Sequence, residues 1–185
     1  FQCVSGAGRR AMDELFNQTR GVFMGSDIKN ENFFKQIAFN IIPQIGDIDE
    51  KTGQSDEETK IEQEAQKLLE KDFPISITCV RVPVFIGHCA SLNIEFEDDL
   101  TPALIRNTLK KSPGILVVDK PQEDGGYVTP QEISGENEVF ISRVRKDSYH
   151  PNTINLWVLT DNLRKGAALN AYQILERIYQ EHFIS

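Results

Sequence analysis

Long apolar runs are missing from this chain. No stretch approaches the roughly 18 residues that a membrane-spanning helix needs, so no span is expected. Cysteine is scarce, with three in 185 residues. Cys3, Cys79 and Cys89 are widely spaced and form no C-x-x-C pair. That argues against a disulfide framework and a zinc site, and it fits a reducing, cytoplasmic compartment. Positive charge is in deficit. Lys and Arg total 20 against 28 Asp and Glu, a formal net charge of −8. Neither nucleic acid nor an anionic membrane is therefore an expected partner. There is no repeat, no low-complexity tract and no leader of the charged-then-apolar kind. There is no initiator Met either, which predicts a piece of a longer polypeptide.

What remains is an ordinary globular composition, 39% hydrophobic and 26% charged. The length suits one domain, and a chain this size buries enough surface to fold without staples. No internal boundary is visible, so residues 1–185 read as a single domain. Met12, Leu15, Phe16 and Thr19 recur at helical spacing, with Gly21 as a stop. The apolar stretch 36–43 reads as a strand or a buried loop. Residues 46–60 are polar and acidic, a surface loop ending in the capping-box pattern Ser55-x-x-Glu58. The helix after it carries Ile61, Ala65, Leu68 and Leu69 on one stripe, and Asp72-Phe73-Pro74 ends it.

Residues 75–86 are β-branched or aromatic at most positions and predict a strand. From His88 the pattern alternates, with His88, Ala90, Leu92, Ile94 and Phe96 on the apolar face and Cys89 on the other. Thr101-Pro102 reads as N-cap and first residue of a helix through Lys111, closed by Pro113-Gly114. Strands are expected at 115–118, 139–145 and 154–160. A last helix is expected from about Asn162 to His182, with the stripe Ala167, Ala171, Ile174 and Ile178. Strands and helices out of strict alternation predict an α+β fold with a mixed or antiparallel sheet.

Several constellations could carry chemistry, each with a plainer alternative. Ser5-Gly6-Ala7-Gly8 precedes a helix, where backbone N–H groups and the helix dipole can hold an anion. Gly6-x-Gly8-x-x-Ala11, with Asp27 further on, loosely fits a dinucleotide fingerprint; the alternative is a turn with nothing bound. Arg81 sits among apolar neighbours and needs a carboxylate, either from the fold or from a ligand. His88 is a core histidine or an acid–base group. Cys89 points away from it, which makes a Cys–His dyad geometrically poor. Glu57 and Lys60 are a surface pair or ligands for an amine and an anion. The small residues of 162–171 allow tight packing or the close approach of a ligand.

Read together, these segments resemble the aspartate-semialdehyde dehydrogenase family. Residues 1–9 resemble its Q-x-x-S-G-x-G turn, residues 37–43 its A-F-N-x-I-P segment, and Glu57-Glu58-Thr59-Lys60 its E-E-x-K. Residues 79–88 resemble C-V-R-V-P-V-x-x-G-H, and residues 161–168 resemble D-N-L-R-K-G-A-A. The last two strings are highly specific, and the likeness runs over essentially the whole chain in order.

The resemblance implies an enzyme that makes L-aspartate 4-semialdehyde from 4-phospho-L-aspartate with NADPH, on the route to lysine, threonine, methionine and diaminopimelate. It implies a mixed, largely antiparallel sheet packed with helices, like the C-terminal domain of the glyceraldehyde-3-phosphate dehydrogenase-like family. His88 would be the acid–base residue, Gln2, Arg81 and Glu57 the substrate ligands, and Lys60 the phosphate ligand. Ser5, Gly6 and Asn162 would lie by the nicotinamide end of NADP. No metal is implied. A homodimer, or a tetramer, is. One large departure stands out: the N-terminal NADP-binding domain and its N-C nucleophile motif are absent. The chain thus reads as the substrate-binding and dimerisation part of a two-domain enzyme, inactive alone. Rival readings are a free-standing dinucleotide-binding module and a non-catalytic dimerisation domain.

Overall fold

The computed structural model describes residues 1–183. The chain folds as two units, Phe1–Phe85 and Ile86–Ser185.

In the first unit a 3-10 turn, Val4–Ala7, leads through Gly8 into helix α1, Arg9–Met24. The helix is where the periodicity predicts it, but the buried stripe is shifted. It consists of Ala11, Glu14, Leu15, Gln18 and Gly21, while Phe16 is 57% exposed. Buried backbone N–H groups demand partners, and two polar side chains of α1 supply them to the irregular loop that follows. Glu14 accepts from the N–H groups of Glu31 and Asn32, at 3.2 and 2.6 Å. Gln18 Oε1 accepts from those of Ile37 and Ala38, at 2.8 and 3.1 Å. Gly21 does not stop the helix. It faces Ile28, with room for an ordinary contact, and the helix ends at Gly25 in the left-handed region, φ 63°. Val4, Ala11, Leu15, Ile37, Ala38 and Ile42 form the core of this unit.

Helix α2, Asp56–Leu69, starts at Ser55 as the capping box predicts. Its expected apolar stripe is not a buried one, since Leu68 and Leu69 are exposed. The helix stops at Glu70, before the Asp-Phe-Pro sequence.

The strand expected over 75–86 is absent as a regular element. Instead Arg81 makes isolated bridges, parallel to Gln2 and antiparallel to Ile42. Pro83 has no N–H to give a ladder, and on its other side the chain turns into the 3-10 turn at Val4. The extended backbone is still held, by Gln2 N–H to Val80 O (2.8 Å), Val82 N–H to Gln2 O (2.9 Å) and a reciprocal pair between Arg81 and Ile42 (2.8 and 3.0 Å).

The second unit carries the sheet. Its strands are β1 His88–Glu95, β2 Ile115–Val117, β3 Val139–Lys146 and β4 Thr153–Thr160, in the order β1-β4-β3-β2. The β1–β4 and β4–β3 pairs are antiparallel and β2–β3 is parallel. This is the expected α+β fold with a mixed, largely antiparallel sheet. Helix α3, Pro102–Leu109, is capped by Thr101, whose side chain accepts from Leu104 N–H at 3.2 Å. Ile105 and Leu109 pack on one face of the sheet with Ile141, Ile154 and Leu156. The opposite face buries Cys89, Phe140 and Leu159 against Val128 and Ile133. The β1 alternation does not map simply onto burial: Cys89 is buried while Ser91, Asn93 and Glu95 on its side are exposed, and Leu92 on the apolar side is 36% exposed.

The last helix begins later than its sequence pattern predicts. Residues Arg164–Ala168 form a π turn with Ala167 off helical geometry, and α4 spans Leu169–Phe183. Its expected stripe is not a buried one, for Ile174 and Ile178 are exposed. Among the described residues no helix is long and apolar enough to cross a membrane.

Candidate substrate-binding site

In the first unit the short bridges of Arg81 set the geometry. They place Gln2 beside Arg81 on neighbouring extended segments. The start of α2 then brings Glu57 to Gln2, whose Nε2 donates to Glu57 Oε1 at 2.7 Å. The other Glu57 oxygen lies 3.7 Å from Lys60 Nζ, one helical turn on. Gln2, Glu57 and Lys60 are thus brought together, and Arg81 is tied to Gln2 through the backbone.

Arg81 is 6% exposed. Its Nη1 donates to Cys3 O at 2.8 Å, and among the described residues no carboxylate forms an ion pair with it. Burial weakens its hold on its proton, while Cys3, Glu57 and Cys79 oppose that. A guanidinium offers five donors in a planar fork. The fold commits one of them to a carbonyl and supplies no counter-charge in contact. Such a group is arranged to take a carboxylate or phosphate.

Glu58 behaves differently from its neighbour. It is buried, with Oε2 accepting from Ser55 N–H at 2.8 Å and Oε1 from Cys79 N–H at 2.7 Å. The Ser55 backbone bond holds its carboxyl below the usual range, although burial pulls the other way. Glu58 therefore joins the start of α2 to the segment that carries Arg81. The sequence signal for it was the capping box, which explains one of its two bonds and gives no hint of the other. Cys79 beside it is pushed up by burial and by Glu58 and Glu57, the opposite of what a nucleophilic thiol needs.

In the second unit His88 opens β1, paired with Thr160 and half-buried. Gly87 before it has φ +106°, and its N–H donates to Asn162 Oδ1 at 3.1 Å. Asn162 and the backbone beside His88 are thus joined. Asp161, which sequence reasoning did not single out, fixes this turn. Its Oδ1 accepts from Leu163 N–H at 2.9 Å and its Oδ2 from Gly135 N–H at 2.8 Å. Among the described residues no group of three or more His, Cys, Asp or Glu is arranged to hold a metal ion.

Residues 1–165 match the family model described as the semialdehyde dehydrogenase dimerisation domain. The chain belongs to this family. Curated semialdehyde dehydrogenases align along nearly all of it: the aspartate-semialdehyde dehydrogenase of Rickettsia conorii is 45% identical over 182 residues, 98% of this chain and 53% of the relative. The crystal structure of aspartate semialdehyde dehydrogenase II from Vibrio cholerae complexed with ASA superposes with a TM-score of 0.92 at 38% identity, over 99% of this chain and 54% of that one. An aspartate semialdehyde dehydrogenase from Candida albicans, solved with NADP, gives 0.51 at 25% identity, over 69% of this chain and 40% of its own. The chain spans about half the length of the curated relatives it matches.

Ser5 and Gly6, expected near NADP, present different groups. Ser5 is buried, with its hydroxyl 3.0 Å from Cys3 Sγ and its N–H donated to Phe85 O. Gly6 is exposed, and a Cβ added at Gly8 would meet nothing within 4 Å. No side chain caps α1. The turn thus offers open glycine surface at Gly6 and Gly8, which suits a flat ring more than the Ser5 side chain does, while their N–H groups are donated within the turn to Cys3 O and Ser5 O.

Proposed function

We propose that the chain is the C-terminal, substrate-binding and dimerisation part of an aspartate-semialdehyde dehydrogenase. The whole enzyme reduces 4-phospho-L-aspartate with NADPH to L-aspartate 4-semialdehyde and phosphate, in cytoplasmic synthesis of lysine, threonine and methionine. The observation that carries this reading is the buried Arg81 fork, without a carboxylate in contact and bridged to Gln2, which holds Glu57.

In this reading Arg81 takes the substrate carboxylate in two parallel bonds. Glu57, oriented by Gln2, takes the substrate ammonium, and Lys60 takes the phosphate. His88 moves the proton, as a base for the attacking thiol and an acid toward the leaving oxygen. The thiol itself comes from outside this chain, since Cys79 is held as a thiol and Cys3 and Cys89 are buried. Bound NADP supplies the hydride chemistry; Gly6 with Ser5 and Asn162 supply the surface against its nicotinamide end. The exposed Leu92 and the family's dimerisation role support a homodimer.

The test is an assay of the full-length protein with aspartate semialdehyde, phosphate and NADP. Phosphate-dependent NADPH formation is expected, and the 185-residue chain alone should form none. Absence of turnover in the full-length protein would overturn the proposal.

A further inference from the structure

Strand β3 is interrupted where it carries its two arginines. Its pairing with β4 runs Ser142↔Trp157 and resumes at Arg145↔Asn155. Two residues of β3, Arg143 and Val144, therefore stand against one of β4, a β-bulge. Arg143 has φ 58°, the left-handed conformation that glycine occupies in such bulges and that arginine rarely adopts.

The backbone is held there by a dedicated brace. Asp119, with its side chain 3% exposed, accepts from Arg143 N–H at 2.7 Å and from Val144 N–H at 3.2 Å. Arg106 Nε holds the same carboxylate at 2.6 Å, and its Nη2 donates to Val144 O at 2.5 Å. A buried carboxylate and a second arginine thus fix a strained backbone whose own side chain is exposed. Strain kept in this way is commonly tied to where a side chain is aimed.

Arg143 and Arg145 both line a cavity of about 590 Å³ with Lys120 and Tyr127. Arg145 Nη1 donates to Arg143 O at 3.1 Å, which folds that guanidinium back beside Arg143. The acids nearby are mostly committed: Asp119 to Arg106 and Glu123 to Lys120 at 3.0 Å, leaving Asp124 on the rim. Neither Arg143 nor Arg145 enters an ion pair among the described residues. Two arginines lining one cavity, neither in an ion pair among the described residues, in a chain of net charge −8, fit a ligand of the opposite sign.

We propose that Arg143 and Arg145 form an anion site for a small, multiply charged oxyanion, a phosphate ester or a polycarboxylate. It stands independently of the function proposed above, because none of its residues belongs to that site.

The experiment measures melting temperature and dimer mass of the full-length protein against inorganic phosphate and, separately, citrate, at ionic strength held constant with chloride. The wild type should be stabilised by at least one of them, and the stronger of the two identifies the ligand class. Arg143→Gly relieves the backbone, so without anion it should melt no lower than wild type, yet it should bind the effective anion at least tenfold more weakly. Arg145→Gln should lose affinity as well, and Lys60→Ala should keep the part of the response that depends on Arg143 and Arg145. An affinity for the effective anion left unchanged by both arginine variants in the Lys60→Ala background, where the phosphate ligand of the proposed substrate site is removed, would overturn the anion site. So would wild type that responds to neither anion, or variants that fall from dimer to monomer, which would make the arginines contacts to a second copy.

Discussion

Glu57 and Glu58 are adjacent, identical in chemistry and opposite in use. Glu57 faces Gln2 and Lys60, while Glu58 turns inward and spends both oxygens on backbone N–H groups. The pair was legible in the sequence as E-E-x-K, but not which carboxylate was free. That depends on helix phase, and helix phase is set by the Cys79 N–H, 21 residues away. Glu58→Gln would point an amide NH₂ at one of two donors and leave it without a partner, at roughly 1–3 kcal/mol. At about 2–4 °C per kcal/mol for a chain of this size, a fall of several degrees in melting temperature is expected. KM for the semialdehyde should rise as well, because the segment of Arg81 is released. An unchanged melting temperature would show that the two bonds contribute little.

At the scale of elements, local signals read well and long-range pairings read poorly. The N-caps at Ser55 and Thr101 and all four strands of the second unit were legible, since each depends on neighbours in sequence. The segment 75–86 had strand composition, yet the ladder was limited by what its partners at Gln2 and Ile42 could offer. Gly87 shows the same dependence. A Cβ there would lie 2.9 Å from Pro130 Cβ and 3.1 Å from Ile133 Cδ1, at a φ that side chains rarely adopt. Gly87→Ala should therefore cost roughly 1–3 kcal/mol and displace His88; equal denaturant midpoints for variant and wild type would contradict this.

Asp147 fixes the end of the sheet. It accepts from Tyr149 and His150 N–H and from the Asn155 and Asn93 side chains. These bonds, led by Tyr149, hold its carboxyl down to about 2. A depressed pKa means stability that is complete above the unfolded value, about 3.9, and lost as pH falls toward 2. Asp147→Asn should flatten the pH dependence of the melting temperature between about pH 4 and 2 relative to wild type. Parallel curves would show that the charge is not what holds the turn.

For the whole molecule, the proposed function gives this chain the substrate ligands and the base, and the chain spans about half the length of the relatives it matches. Its α+β architecture was legible from element order, and the family from a few specific strings. The division into two units was not, because no linker composition marks residues 85 and 86. Helix α3 covers β2 and β3, and Leu92 on β1 stays exposed. A second copy covering that region should give a dimer by light scattering at micromolar concentration, and a monomer mass would count against it. The central claim is that Arg81 exists for the substrate rather than for the fold. Arg81→Lys keeps the charge and loses the fork. Losing one charge-assisted contact is worth roughly 1.5–3 kcal/mol, or about one to two decades in KM. Saturation kinetics for aspartate semialdehyde and a melting curve, taken on one preparation of the full-length variant, decide it. The expected result is a KM raised about 10- to 100-fold with the melting temperature nearly unchanged; a large drop in melting temperature with KM intact would contradict it.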